Sequence, residues 1–292
     1  MKPTVMGVLL GLAAGCASGP RSSDAPRAVT DGPGTERALP IPADLVPHIS
    51  ESIELGRTLY LLDKASAIGT DVLEANVPDF HSRGVGGWLT VRAGDDAGQP
   101  TDAFAVVFFT RQEPLRHLFR VDVPMKGKPS FRELSPPTMM DETGVRMVRA
   151  RQAAIDAVPR GRRPFNPVVL PGAAVGRPDA IAVYLLSAEQ VPGEMVFGIH
   201  YRALVSADGT TVRQMLPLSK SALVIPPPAQ NLPPGAKAVA SFVTQIVTDW
   251  PSEVHVFVSL LHNRVPLYVA TQRGIWLVIG DKITLVDDKP PH

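Results

Sequence analysis

Apolar and polar positions recur along this chain with two periods. Over residues 50–76, Ile53, Leu59, Tyr60, Leu62, Ile68, Val72 and Leu73 are spaced among Glu51, Glu54, Arg57, Lys64 and Asp71. That spacing predicts an amphipathic helix with one face on a core. Ser50 or Ser52 is suited to cap it, and Pro78 closes it by pushing the preceding residue out of helical geometry. Its polar face lacks the Lys and Arg richness of helices that lie on membranes, so it reads as a core helix. Beyond it the period shortens to two. Segments 88–92, 103–110 and 118–123 predict strands of an antiparallel meander, and Phe119, Val121 and Val123 alternate with Arg120 and Asp122 across its two faces. A second helix is expected after Pro136-Pro137, running to about Val158, where Pro159 and Gly161 end it.

Strand patterns then return at 165–171, 182–186, 195–206 and 211–218. Ser206-Ala207-Asp208-Gly209-Thr210 has the composition of a hairpin turn with a left-handed glycine and a bulge. A single strand over 195–206 sets Met195, Phe197, Ile199 and Tyr201 on one face, with His200 and Arg202 on the other. Prolines at 226–228 and 233–234 mark a crossing loop. Short strands are expected after it at 239–247, 254–261, 266–271, 275–279 and 283–286. These elements define an α+β fold, mainly antiparallel sheet with two amphipathic helices. Residues 49–292 are read as one domain, with an alternative split near 235 into 49–225 and 236–292.

The amino terminus has another character. Lys2 precedes an apolar run from Val5 to Gly15, well short of the roughly 20 residues that cross hydrocarbon. The run ends in Leu12-Ala13-Ala14-Gly15-Cys16, and Cys16 is the only cysteine of the 292 residues. This pattern resembles the lipobox of bacterial lipoproteins, with Ala13 where Leu is usual. The resemblance implies a leader over 1–15, cleavage before Cys16 and acylation of its thiol. With that thiol carrying lipid, no intrachain disulfide is available. Pro20, Pro26, Pro33, Pro40, Pro42 and Pro47 punctuate residues 16–48, which read as a disordered tether with a reach of about 30 Å. Ala17, rather than Asp, after the cysteine resembles lipoproteins sorted to the periplasmic face of an outer membrane. The expected partners are the membrane, through the acyl chains, and an envelope protein or cell-wall component. Twenty-nine basic residues against 28 acidic ones argue against a nucleic-acid surface.

In the middle third, Phe165-Asn166-Pro167-Val168-Val169-Leu170-Pro171, then Tyr184-Leu185-Leu186, then Gly198-Ile199-His200-Tyr201-Arg202 before a hairpin, resemble an uncharacterised family of exported proteobacterial proteins. The resemblance implies fold and address but no activity.

Candidate chemistry is sparse. No His-Glu-x-x-His, paired-cysteine or calcium-loop spacing occurs, so neither a metal nor a cofactor is expected. No nucleophile elbow, Walker loop or dinucleotide fingerprint occurs; Gly84-Val85-Gly86-Gly87 precedes a strand and reads as a turn. Ser219-Lys220-Ser221 lacks the helical three-residue separation of serine–lysine hydrolases. The ligand-binding candidates are His200, Arg202 and, across the hairpin, Gln214 or Lys220, with the strand register deciding which faces His200. His255 and His262 fall on opposite faces of a continuous strand. Trp88, Trp250 and Trp276 form an aromatic groove only if the fold gathers them. The leading function is a non-enzymatic binding or interaction lipoprotein with no catalytic residue. The alternative is a periplasmic hydrolase built around His200 or His255.

Overall fold

The computed structural model describes residues 37–94, 100–159, 163–220, 222–227 and 240–289. Among them it has three helices and fourteen mostly antiparallel strands, an α+β fold. Two compact units share the chain. The first takes residues up to Arg57, Glu189–Gly198 and the chain from Ser219 onward; the second takes Thr58–Ala188 and Ile199–Leu218. The alternative cut near residue 235 lies outside the described residues.

Helix α1 (Val46–Asn76) supplies residues to both units. It begins four residues before Ser50, and Pro47 occupies its first turn, where a missing N–H costs no helical hydrogen bond. The tether expected over 16–48 is therefore too long at its carboxyl end. Leu39 already donates its N–H to the Leu285 carbonyl at 2.8 Å.

In the second unit the helix–four-strand motif occurs twice. Strands β1 (Val85–Gly94), β2 (Pro100–Thr110), β3 (Arg116–Pro124) and β4 (Ser130–Met139) form an antiparallel meander in that order. Helix α1 lies on it, with Ser66 Oγ hydrogen-bonded to Thr90 Oγ1 at 2.6 Å. Residues 104–109 of β2 are all buried, so both faces of this strand are covered. Strand β4 is a correction. Pro136 and Pro137 lie inside it, tolerated because residues 134–137 bulge out between the pairs Phe119–Glu133 and His117–Thr138 on the outer strand and have no ladder hydrogen bond to lose. The second helix, α2 (Glu142–Ala157), starts later, capped by Asp141, whose Oδ1 accepts from the Gly144 N–H at 2.7 Å.

The second sheet has the order β5 (Phe165–Pro171), β6 (Ala180–Ser187), β8 (Tyr201–Ser206), β9 (Val212–Pro217). Val148, Ala150 and Ala154 of α2 share one core with Val169, Val183, Leu185, Ala203 and Val205 of this sheet. The β8–β9 turn forms as expected: Gly209 has φ +80° and Asp208 Oδ1 accepts from the Thr210 N–H at 3.1 Å. A side chain at Gly209 would also meet the Arg146 carbonyl oxygen at 2.2 Å, so the turn is held close against α2.

The first unit holds the short pair β7 (Met195–Val196) and β10 (Val224–Ile225). It also holds the sheet β11 (Ser241–Thr244), β12 (Leu267–Thr271), β13 (Gly274–Ile279) and β14 (Lys282–Asp287). β11 and β12 pair in parallel. A parallel pair needs a crossover, and helix α3 (Glu253–Leu261) supplies it. This replaces the strand expected over 254–261. Val254, Val256 and Val258 alternate with His255 and Phe257 as a strand would, but residues 253–259 are all buried, so the alternation carries no information about a wet face. The helix crosses α1 where Gly56 leaves no room for a side chain, its Cβ position lying 2.5 Å from Val256 Cβ.

Candidate functional site

The hairpin candidates do not make the solvated cluster that one strand over 195–206 would give. The chain leaves β7 at Val196 and begins β8 only at Tyr201, and between them Ile199 has φ +62°. A β-branched residue in the left-handed region is strained by about 1–3 kcal/mol and breaks the strand's alternation. His200 therefore turns inward and is 1% exposed. Its Nδ1 accepts from the Ser187 N–H at 3.1 Å, while Ser187 Oγ donates to the Ile199 carbonyl at 2.6 Å. The His200 carbonyl accepts from the Leu218 N–H, and Gln214 stands opposite Leu204, so the register takes Gln214 away from His200.

Arg202 lies opposite Tyr184 on β6, with Nη1 donating to the tyrosine hydroxyl at 3.3 Å and the guanidinium 5.9 Å from the ring centre. Lys220 is exposed beyond β9 and belongs to the first unit. His200 is thus a core residue and Arg202 a cross-strand partner of Tyr184; Cys16 lies outside the described residues.

His255 occupies the third position of α3 and completes the helix cap, its Nδ1 accepting from the Ser252 N–H at 3.0 Å. Ser259, one turn further on, donates to the Val265 carbonyl and accepts from the Gly280 N–H, both at 2.8 Å. His262 follows α3 as its C-cap, so the opposed strand faces expected for the two histidines do not arise. Trp276 is wholly buried with Nε1 on Thr271 Oγ1, and Trp250 stacks on His48 at 4.1 Å between ring centres. Trp276 therefore presents no surface to a sugar. Among the described residues no three His, Cys, Asp or Glu side chains gather as metal ligands.

A cavity of about 360 Å³ in the second unit is the feature that the linear sequence hides. Thr58, Leu61 and Leu62 of α1 line one side; Thr90, Val91 and Arg92 of β1 and Phe104 of β2 line another; Met147 of α2 and Val169, Leu170 and Pro171 of β5 complete it. It sits where the outer strands of the two meanders, β1 and β5, run beside each other. Among the described residues Arg92 is its only ionisable lining residue, with the guanidinium 5.5 Å from the centre of the Phe104 ring.

No family model, curated protein or solved structure matches the chain.

Arg151 is a buried cation of this unit. It is buried on α2 with its guanidinium 5.4 Å from the Trp88 ring centre and 6.0 Å from that of Phe109, and desolvation lowers its pKa to about 10. Among the described residues no carboxylate pairs with it.

Two histidines give the molecule a pH response. Burial pushes His117 below the ordinary value of 6.5; Asp141 opposes the shift and Arg120 adds to it. Burial likewise lowers His262, opposed by Glu189, whose Oε1 lies 3.7 Å from Nε2. Between the folded values and 6.5 the unfolded chain binds more protons than the folded one. Stability is therefore complete above 6.5 and falls on acidification through that window, levelling once the folded rings also protonate. We expect the urea midpoint to drop between pH of about 7.5 and about 5.5, and to drop less in a His117→Gln/His262→Gln protein. Equal slopes in the two proteins would refute the assignment.

Proposed function

We propose that this protein is a lipid-anchored binding module of a bacterial cell envelope. It is held by acyl chains on Cys16 and stands off the bilayer on a proline-rich tether. The observation that carries the reading is the apolar run ending in Ala13-Ala14-Gly15-Cys16, followed by residues rich in Pro, Gly and Ser ahead of a packed α+β body. Ala17 favours the outer membrane in a Gram-negative cell. None of the described helices is long and apolar enough to cross a membrane. Attachment in this reading comes from the acyl chains, and stable attachment takes more than one such chain or signal.

Binding is favoured over hydrolysis by what the buried histidines already do. The hydroxyl of Ser187 serves the Ile199 carbonyl, that of Ser259 serves two backbone groups, and Nδ1 of each histidine accepts a backbone N–H. Ser252 Oγ does stand 3.0 Å from His255 Nδ1, but both residues are buried and this hydroxyl caps α3 by accepting the His255 backbone N–H, whereas a nucleophilic serine needs a hydroxyl open to substrate.

The test is expression of the full chain with its leader, beside Cys16→Ser, in cells given a palmitate analogue. We expect the wild type to sediment with membranes and carry label, and the variant to move to the soluble fraction without label. A variant that stays on membranes, or a mature amino terminus other than Cys16, would overturn the anchoring.

A further inference from the structure

The cavity of the second unit is apolar on nearly every wall, and no Asp or Glu among the described residues lines it. We propose that it binds a single-chain amphiphile with an anionic head, its hydrocarbon seated against Leu62, Phe104, Met147 and Val169 and its carboxylate or phosphate held by Arg92. This goes beyond the anchoring reading and stands whether or not Cys16 is acylated.

Size is the first support. About 360 Å³ lies at the small end of the roughly 300–1,000 Å³ occupied by ligand sites, enough for one chain and too little for a diacyl lipid. Polarity is the second. Thr90 on the wall already shares its hydroxyl with Ser66 at 2.6 Å. Ordered water needs two to four polar partners, and such walls suit hydrocarbon better. Met147 adds an unbranched side chain that adjusts to an irregular apolar occupant.

Charge selects the head. Arg92 is exposed at the cavity wall, has no ion-pair partner among the described residues, and has its guanidinium 5.5 Å from the centre of the Phe104 ring, a contact that favours one placement of the charge. Arg151, one helical turn beyond Met147, packs against Trp88 and Phe109 outside the lining, so the charge at the wall is that of Arg92. An anionic head is attracted by Arg92, a neutral head is not, and a cationic head is repelled.

The experiment uses the full chain carrying Cys16→Ser, so that its own lipid cannot compete, with ¹³C-labelled methionine methyls and the Met147 signal assigned through Met147→Leu. It is titrated below micelle-forming concentrations with dodecanoate, dodecyl phosphate, dodecanol and dodecyltrimethylammonium. We expect saturable one-to-one shifts of the Met147 methyl with both anions, about three- to tenfold weaker binding of dodecanol, and none of the cation. The tighter of the two anions distinguishes a fatty-acid source from a phosphate headgroup. Arg92→Gln is expected to reduce dodecanoate to the level of dodecanol and leave dodecanol unchanged. Leu61→Trp, at a half-buried wall position, is expected to remove binding of all probes. The wild-type Met147 shift decides the matter should that variant fail to fold. An unmoved Met147 methyl, dodecanol binding as tight as dodecanoate, or anion binding indifferent to Arg92→Gln would each overturn the proposal.

Discussion

Trp276→Ala is expected to lower stability by about 3–5 kcal/mol, the range for deleting a buried aromatic from a packed core. Trp276 has no exposed surface and stands on β13 between Val269 of β12 and Leu285 of β14. Its indole N–H is also part of the turn that makes the hairpin. Thr271 Oγ1 accepts from Trp276 Nε1 and from the Arg273 N–H, both at 3.1 Å, and donates to the Gly274 carbonyl at 3.2 Å. Truncation to alanine therefore opens a cavity and removes one of the donors that fix this hydroxyl. Two further variants separate those terms. Trp276→Phe keeps most of the apolar volume and is expected to lose about 1–2 kcal/mol. Thr271→Val leaves a buried indole N–H without its acceptor, at a cost of about 1–3 kcal/mol. Denaturant unfolding measures the totals, and hydrogen exchange should place the loss in β12, β13 and β14. A Trp276→Ala protein within about 1 kcal/mol of wild type would show that the ring contributes little to this sheet.

The features legible in the sequence were those in which one wet face and one dry face repeat over many residues. Helix α1 shows this from Ser50 to Asn76, and the hairpin at Gly209 carries its own turn chemistry, so both are legible apart from the first turn of the helix. Errors arose where a local signal has two physical meanings. Pro47 reads as tether but is equally at home in a first helical turn. Pro136-Pro137 reads as the start of a helix but also fits an outer strand. Val254, Val256 and Val258 alternate only because every side of α3 is buried, and the cap that marks it uses His255 where Glu or Gln is usual.

His200 was misplaced by a single dihedral angle. Ile199 at φ +62° inverts the facing of the residue after it, and nothing in a β-branched side chain announces that conformation. The cavity left no trace because its walls come from positions between 58 and 171, brought together by the packing of two helix–sheet motifs. Its one sequence-level signal is Arg92, a cation at the end of an apolar strand, and that is common on surfaces.

Gly69→Ala is expected to destabilise the protein by about 1–3 kcal/mol, although removing a glycine from a helix interior ordinarily gains about 1 kcal/mol. The sign is set by Val106. A methyl at Gly69 would lie 2.7 Å from both Cβ and Cγ2 of Val106 and 2.9 Å from Cγ1, nearer than real carbon contacts allow. The valine cannot yield. It is fully buried in β2, its side chain is branched at Cβ, and the opposite face of the strand is occupied as well. Helix α1 must rise from the sheet instead, which also stretches the Ser66–Thr90 hydrogen bond one turn away. The pair makes a test that does not rely on a single loss of stability. Val106→Ala alone should cost about 2 kcal/mol for the methyls it deletes. In the double variant the new methyl has room, so the combined loss should fall short of the sum of the two single losses by about 1 kcal/mol or more. Denaturant unfolding of the four proteins reads this coupling. Strict additivity, or a Gly69→Ala protein more stable than wild type, would mean that α1 does not rest on Val106 as closely as these distances require.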